Sequence, residues 1–184
     1  MQLYLIRHPA PQVAAGICYG RTDLPLAADV AAAAARILPQ LPASLPVYTS
    51  PLQRCRQLAE ALHPAPRSDE RLLEMHFGAW EMRPWNLVQR EALDGWAADP
   101  LGYVPPQGES VGEMRQRVRS FVDDARQQGI ERAVLVTHAG VMKVIVGQAE
   151  NLPLIQWMAL SFDYESVVCV TLGEADTSAP VFRL

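Results

Sequence analysis

Two short apolar runs constrain the fold of this chain more than any other feature of its sequence. Residues 3–6 and 133–137 are almost free of polar side chains, and both runs are too brief to form a stable helix. The run at 133–137 is apolar up to its last residue, which is typical of a strand buried on both faces by covering helices. The chain is therefore predicted to contain a central, mostly parallel β-sheet.

Helical and extended patterns alternate along the rest of the chain. Helices are predicted at 30–41 behind the N-cap Asp29, at 52–62 behind Ser50 and Pro51, at 85–97, behind the capping box of Ser110 and Glu113, and at 141–150. Further extended segments are predicted at 45–49, 71–74, 166–172 and 181–183. This order implies a three-layer α/β/α sandwich with a mostly parallel central sheet and a single domain over residues 1–184.

The composition argues against several classes of function. A net charge of −4 gives the chain no general attraction for nucleic acid or an anionic membrane. No apolar run approaches the roughly 18–20 residues of a membrane span, and the N-terminus lacks a secretory pattern, so a cytoplasmic protein is expected. Cys18, Cys55 and Cys169 are widely spaced, which indicates buried or half-buried free thiols rather than disulfides or a zinc site. Lys143 is the only lysine among 16 basic residues, so individual arginines would have to bind an anionic substrate.

Polar side chains follow the predicted strands at the points where the strands end. Arg7 and His8 come directly after the first apolar run, and His138 follows the run at 133–137. Arg54 lies about one helical turn past another strand, and Glu74 ends a short extended segment. Because the carboxyl ends of parallel strands meet at one edge of a sheet, these groups are expected to converge. Two arginines and two histidines suit a phosphoryl group, whose oxygens an arginine binds in bidentate fashion.

Considered singly, each of these residues has an ordinary structural interpretation. A lone histidine is most often a surface residue or a satisfied core residue, and a lone carboxylate near a turn is usually solvated. The helix behind Ser110 carries Arg115, Arg117 and Arg119 outside its apolar stripe, and these arginines are predicted to form a solvated face. His76 is interpreted as local packing or rim, and His63 as exposed.

Four segments together resemble a known family. They are Leu5-Ile-Arg-His8, Ser50-Pro-Leu-Gln-Arg54, Leu73-Glu74 with Phe77-Gly78, and Val136-Thr-His-Ala-Gly140. In order and spacing they resemble the four motifs of the histidine phosphatase (phosphoglycerate mutase-like) superfamily, across about the first 140 residues. One such match would mean little, whereas four in sequence are a specific signal.

The resemblance implies a role for each matching residue. His8 would be the nucleophile and become phosphohistidine, while Arg7, Arg54 and His138 would hold the phosphoryl oxygens. Glu74 would act as general acid and base, and the backbone N–H of Ala139 would add a donor. No metal or other cofactor is implied. The chain departs from the family pattern in two places: Pro9 stands where glycine is usual, and residues 10–15 contain no counterpart of a phosphate-binding asparagine.

The resemblance also suggests a substrate class, a small phosphorylated metabolite. The chain has no room for the insertion usual in mutases of the family, so hydrolysis is the simpler interpretation. Residues 74–85 resemble the α-ribazole phosphatase subgroup. Trp80 and Trp85 are candidates to stack on a base, although aromatic residues beside a turn are as often part of the core, and Arg21 and Glu109 are candidates to meet ribose hydroxyls. Two alternatives stay open: a phosphatase of broad specificity, and a catalytically silent phosphate-binding or interaction protein. The oligomeric state is left undetermined.

Overall fold

The computed structural model describes residues 1–173 and is built around a five-stranded sheet. The strands are β1 (Gln2–Arg7), β2 (Val47–Thr49), β3 (Arg67–Ser68), β4 (Arg132–Thr137) and β5 (Val167–Thr171), in the order β3-β2-β4-β1-β5. The first four are parallel to their neighbours, and β5 pairs antiparallel with β1 at one edge. The predicted mostly parallel sheet is confirmed, with β4 at its centre.

Helices cover both faces of this sheet. They are α1 (Val30–Ile37), α2 (Gln53–Leu62), α3 (Arg90–Ala98), α4 (Val111–Gln127), α5 (Ala139–Ala149) and α6 (Leu154–Ala159), with short 3-10 turns at Leu38–Gln40, Glu70–Leu72, Gly78–Trp80 and Trp85–Leu87. Leu5 and Leu135 pack toward α4 and α5, whereas Ile6 and Val136 pack toward α1 and α2. Successive side chains of a strand point to opposite faces, so the apolar runs supply both halves of the core and three layers result.

Two of the predicted helix caps are present. The Asp29 Oδ1 atom accepts hydrogen bonds from the N–H groups of Ala31 and Ala32. Ser110 and Glu113 form the reciprocal capping box at the start of α4. The predicted helix 30–41 ends earlier, at Ile37, and continues only as a 3-10 turn. Proline lacks an amide hydrogen for the helical ladder, and Pro39 lies in this turn.

The predicted start of the second helix is wrong. The helix begins at Gln53 behind an extended Leu52, so Pro51 is not its first residue. The Gln53 N–H instead donates to Asp23 Oδ1 at 2.8 Å, which ties the helix to the 9–27 loop. The Ser50 hydroxyl lies 2.8 Å from His138 Nε2 and so belongs to the site described below.

Two further element predictions need correction. The segment predicted as extended at 71–74 is not a strand. It follows the short strand β3, and its first two residues belong to the 3-10 turn Glu70–Leu72. The helix predicted at 85–97 is divided into the turn Trp85–Leu87 and α3. The edge strand predicted at 181–183 lies outside the described residues. None of the helices among residues 1–173 is long and apolar enough to cross a membrane.

Candidate active site

The carboxyl ends of β1 and β4 bring the two predicted histidines together. The two strands are paired in register up to Arg7 and Thr137, and His8 and His138 are the next residues along each strand. Their rings meet edge to face with centroids 5.1 Å apart. Arg54 reaches the same place from the first turn of α2. We call Arg7, His8, Arg54 and His138 the histidine–arginine cluster.

His8 is held with one ring nitrogen available for chemistry. Its Nδ1 atom lies 2.7 Å from the Pro9 carbonyl oxygen, and its Nε2 atom lies 3.3 Å from Arg54 Nε. The tautomer that satisfies both contacts has Nδ1–H donating to the carbonyl and Nε2 accepting from the guanidinium. Burial, followed by the charge of Arg54, lowers the pKa of His8 to about 3. The ring is therefore neutral at pH 7, with its Nε2 lone pair facing the arginine.

This geometry explains how the chain accommodates Pro9. Position 9 supplies a carbonyl oxygen to His8, and proline retains that acceptor although it has no amide hydrogen. The missing donor is therefore not needed to orient the His8 ring.

Arg54 is fully buried and anchored to the 9–27 loop. Its Nη1 and Nη2 groups donate to the carbonyl oxygens of Thr22 (2.7 Å) and Gly20 (2.6 Å). Glu81 in turn fixes this part of the loop, because its carboxylate accepts hydrogen bonds from the backbone N–H groups of Arg21 and Thr22. The sequence analysis missed Glu81, whose partners lie about 60 residues away.

Arg7 has an N–H donor that no group among residues 1–173 accepts from. Its Nη1 group donates to the Phe162 carbonyl oxygen at 2.6 Å, while its Nε group is buried and has no hydrogen-bond partner among residues 1–173. Over the same residues, no carboxylate forms an ion pair with Arg7 or Arg54. An uncompensated cation and an orphaned donor in a buried place are costly, and an anion would relieve both. The arrangement therefore suits an anion.

His138 completes the cluster from the end of β4. It is fully buried, and its Nε2 atom is close to the Ser50 hydroxyl at 2.8 Å and to Cys55 Sγ at 3.5 Å. Burial, with a smaller contribution from His8, lowers the pKa of His138 well below its ordinary value. Both histidines of the cluster are thus neutral at pH 7.

Glu74 lies beside the cluster, at the start of α5. One carboxylate oxygen accepts from the Met75 N–H at 2.9 Å, and the other accepts from the Gly140 N–H at 3.0 Å. Both carboxylate oxygens are thus held by backbone donors next to the start of α5. A Cβ atom at Gly140 would collide with the Glu74 carboxylate, which accounts for glycine at this position. Ala139, predicted as a backbone donor, is the first residue of the same helix.

Arg117 is not part of a solvated face, contrary to the prediction for that side of α4. Its guanidinium donates to the carbonyl oxygens of Leu73 (2.6 Å) and Glu74 (3.0 Å) and to Glu109 Oε1 (2.7 Å). It therefore holds the backbone of the segment that carries Glu74. The spacing offered a signal, because residue 117 is three past Met114 and four before Phe121, both of which are buried.

Glu109 and Arg21, predicted to meet ribose hydroxyls, pair with each other instead. Arg21 Nη2 lies 3.0 Å from Glu109 Oε2, and the other Glu109 oxygen accepts from the His76 N–H and from Arg117. Although burial opposes it, hydrogen bonding to Arg117 holds the pKa of Glu109 below its ordinary value. The Glu109 oxygens are thus occupied by protein donors. We call Glu109, Arg21 and Arg117 the Glu109 network.

The two tryptophans predicted to stack on a base lie in an aromatic cluster that is separate from the histidine–arginine cluster. Trp80 is only 5% exposed and stacks on Tyr103, and Trp85 stacks on Trp96 and meets Phe77 edge on. The interpretation of Trp80 as a platform for a substrate base is wrong, because its ring is buried among these neighbours.

The cysteines are free thiols, as predicted, although their burial differs. Cys18 and Cys55 are buried, and Cys169 is exposed on the edge strand β5. Within residues 1–173, no three His, Cys, Asp or Glu side chains are grouped in a way that would hold a metal ion.

The fold and the site define a class of protein: an α/β protein in which two neutral histidines and two arginines gather near the carboxyl ends of parallel strands, the arginines having no carboxylate partner among residues 1–173. The sequence model of the histidine phosphatase superfamily (branch 1) matches residues 3–182, nearly the whole chain. The chain belongs to this family.

Relatives of the chain carry more specific descriptions. It is 31% identical over 156 residues to a candidate phosphoserine phosphatase of Hydrogenobacter thermophilus, covering 79% of this chain and 76% of that protein. It is 30% identical over 168 residues to the adenosylcobalamin/α-ribazole phosphatase of Escherichia coli, covering 83% and 81%. A crystal structure of a phosphoglycerate mutase from Thermus thermophilus superposes with a TM-score of 0.75 at 33% identity, covering 92% of each chain. These relatives are phosphatases or mutases by description.

Proposed function

We propose that the protein is a phosphomonoesterase that works through a phosphohistidine intermediate on His8. The observation that carries the proposal is the geometry around His8 Nε2. This atom is unprotonated and directs its lone pair at Arg54, in a cluster whose two arginines have no carboxylate partner among residues 1–173. A phosphate ester supplies the missing negative charge and the electrophile together.

The first chemical step transfers the phosphoryl group to the protein. The Nε2 lone pair of His8 forms the N–P bond while the bond from phosphorus to the leaving oxygen breaks. Arg7 and Arg54 hold the equatorial oxygens and stabilise their charge. Glu74, in its protonated form, gives its proton to the leaving alkoxide so that a neutral alcohol departs.

The second step restores the free enzyme. The Glu74 carboxylate takes a proton from water as the water oxygen attacks phosphorus, and the N–P bond breaks with its electrons returning to His8 Nε2. The hydrogen bond from His8 Nδ1 to the Pro9 carbonyl oxygen, 2.7 Å long, keeps the ring oriented through both steps. Hydrolysis rather than mutase activity is proposed, because a mutase has to exclude water from its phosphoenzyme, and a hydrolase does not.

For the substrate we propose α-ribazole 5′-phosphate, a small phosphorylated metabolite. Support comes from the resemblance of residues 74–85 to α-ribazole phosphatases and from the similarity to the Escherichia coli phosphatase. The relative from Hydrogenobacter thermophilus favours phosphoserine as the rival substrate, and a broad-specificity phosphatase is the alternative between them. The net charge of −4 supports neither nucleic acid nor an anionic membrane as a partner, and we propose a cytoplasmic location.

The chemistry is tested by acid-quenching the protein after brief exposure to a ³²P-labelled monoester. We expect a protein-bound phosphoryl group that is labile in acid and stable in base, and that His8→Ala abolishes. His63→Ala is the matched control, because within residues 1–173 the His63 ring makes only a local hydrogen bond, which it accepts from the Ala65 N–H outside the cluster. Absence of any adduct and of any turnover would instead support the silent phosphate-binding protein.

The substrate is tested by comparing kcat/KM for α-ribazole 5′-phosphate, O-phosphoserine and 3-phosphoglycerate. We expect a preference of about a hundredfold for α-ribazole 5′-phosphate over the other two. Similar values for all three would favour the broad-specificity phosphatase, and isomerisation of 3-phosphoglycerate without release of phosphate would show a mutase.

A further inference from the structure

Two tyrosines cover the histidine–arginine cluster. The ring of Tyr164 lies over the Arg7 guanidinium, with the central carbon 3.9 Å from the ring centroid, and its centroid is 5.7 Å from that of His8. The Tyr164 hydroxyl is 2.6 Å from the hydroxyl of Tyr19, whose ring lies 5.5 Å from the central carbon of Arg54. Each tyrosine thus covers one arginine of the cluster, and the two are joined by a hydrogen bond.

The same tyrosines line a cavity of about 310 Å³ next to the cluster. The 9–27 loop forms its other wall with small and aliphatic residues, among them Ala10, Ala14 and Ile17. No charged side chain lines this cavity within the described part of the chain. Its volume is at the lower end of the range for small-molecule sites, so it suits one part of a small substrate.

A larger cavity, of about 530 Å³, is a weaker candidate. It lies between Gly16 and the turn Trp85–Leu87, and neither Tyr19 nor Tyr164 lines it. The cavity beside Tyr19 and Tyr164, in contrast, shares its wall with the residues that cover the nucleophile.

We propose that the cavity lined by Tyr19 and Tyr164 binds the leaving group of the substrate, and that this group carries an uncharged aromatic ring. The inference rests on the proposed phosphatase function and deepens it by naming the substrate class. An aromatic ring packs well against the two tyrosine rings and the aliphatic wall. A leaving group with a carboxylate, such as that of phosphoserine, would bury its charge in a cavity with no cation to pair it.

Two synthetic esters test this assignment without a difference in chemistry. The alcohols of 2-phenylethyl phosphate and propyl phosphate are both primary and uncharged, and they differ in the phenyl ring. We expect the wild-type protein to favour 2-phenylethyl phosphate in kcat/KM by about tenfold to a hundredfold, from burial of the ring. Equal values for the two esters would overturn the inference.

The cavity is then filled with Ala14→Trp, a substitution at an exposed loop residue that lines the cavity. We expect the ratio of the two kcat/KM values to fall toward one. The matched control is Ala35→Trp, the same substitution at an exposed position of α1 away from the cavity, which should leave the ratio unchanged. A ratio that survives in Ala14→Trp, or that falls equally in the control, would place the ring elsewhere and contradict the assignment.

The phosphatase function and the cavity assignment would fail in different ways. If propyl phosphate is hydrolysed through a His8 adduct but the phenyl ring brings no advantage, the phosphatase stands and the cavity assignment falls. If neither ester is hydrolysed and no adduct forms, the proposed function itself fails, and the assignment fails with it.

Discussion

Two groups of arginines lie near each other in this molecule and differ in the partners that their guanidinium groups have. In the histidine–arginine cluster, Arg7 and Arg54 have no carboxylate partner among residues 1–173. In the Glu109 network, Arg117 and Arg21 share one carboxylate, and Arg117 also donates to three backbone carbonyl oxygens. The first group leaves positive charge uncompensated, and the second is internally satisfied. The difference shows that the partners of an arginine, rather than its burial alone, separate a binding role from a positioning role.

The physical reason is the cost of a buried charge. A cation taken from water without a carboxylate partner loses its solvation, and a folded protein retains such a group where a bound ligand offsets that cost. In a cation paired with a carboxylate and with carbonyl oxygens, the desolvation cost is already offset, so it gains little from an anion in solution. The two groups should therefore respond differently to mutation and to pH.

The largest effect is expected from removing a cation of the cluster. In Arg54→Met we expect kcat/KM for a phosphomonoester to fall by about a thousandfold or more, because the group that stabilises the transferring phosphoryl charge is lost. Stability should change less than activity, since the variant also removes an unpaired buried charge. Steady-state kinetics and urea unfolding measure the two effects.

The control for this variant lies two residues away. Arg56 is exposed on the same helix and pairs with Glu60 at 3.0 Å, so Arg56→Met should retain full activity. An equal loss of activity in the two variants would contradict the assignment of Arg54 to the phosphate.

The opposite pattern is expected in the Glu109 network. Arg117→Met leaves the largely buried Glu109 carboxylate, whose side chain is 12% exposed, with fewer donors, so we expect the free energy of unfolding to fall by about 3 kcal/mol. Urea unfolding measures this loss, and Glu109→Gln in the same chain should recover part of it by removing the stranded charge. Arg119→Met, at an exposed position of the same helix, is the control and should cost less than about 0.5 kcal/mol. A loss in Arg117→Met no larger than in the control would contradict the positioning role.

Lowering the pH adds positive charge to the histidine–arginine cluster by protonating His8, so the cluster should be sensitive to acid. Unfolded histidine binds a proton near pH 6.5, whereas His8 in the folded protein has its pKa lowered to about 3. Between these values the unfolded state binds more protons, so stability present above pH 6.5 is lost as the pH falls toward 3. The contribution of one such histidine is at most about 1.4 kcal/mol per pH unit.

The pH effect is isolated by substitution. We expect His8→Asn to show a smaller loss of unfolding free energy than the wild type between pH 6.5 and 4.5, while His63→Asn follows the wild type. Acidic groups contribute to both slopes and cancel in the comparison. Identical slopes in the wild type and His8→Asn would show that His8 is not held neutral.

The part of the site that could be predicted from sequence is its local part. Arg7, His8 and His138 follow apolar runs directly, and the register of β1 with β4 then places the two histidines side by side. The capping box of α4 depends on residues three apart and was equally predictable. Such features are determined by neighbours along the chain, so they can be predicted from the pattern of residues.

The part that could not be predicted depends on contacts between distant segments. Tyr164 reaches the cluster because the chain returns antiparallel beside β1, where the Glu165 N–H donates to the Arg7 carbonyl oxygen at 3.0 Å. Ser50 has the sequence of a helix cap, yet its hydroxyl meets His138, 88 residues away. Arg117 lies at the border of an apolar stripe, where spacing alone does not decide between solvent and a buried partner.

The smallest effect concerns Pro9, the residue that departs from the family pattern. Its carbonyl oxygen accepts from His8 Nδ1, and glycine would keep this acceptor. We therefore expect Pro9→Gly to reduce kcat/KM by less than about threefold. The unfolding free energy should fall by about 1 kcal/mol, because glycine gives the unfolded chain more freedom. Pro39→Gly, in an exposed turn outside the site, should show a similar stability loss and serves as the control. If kcat/KM for Pro9→Gly changed more than tenfold in either direction, the fixed φ angle or the missing N–H at position 9 would matter to catalysis, and the carbonyl would not be the whole contribution of this residue.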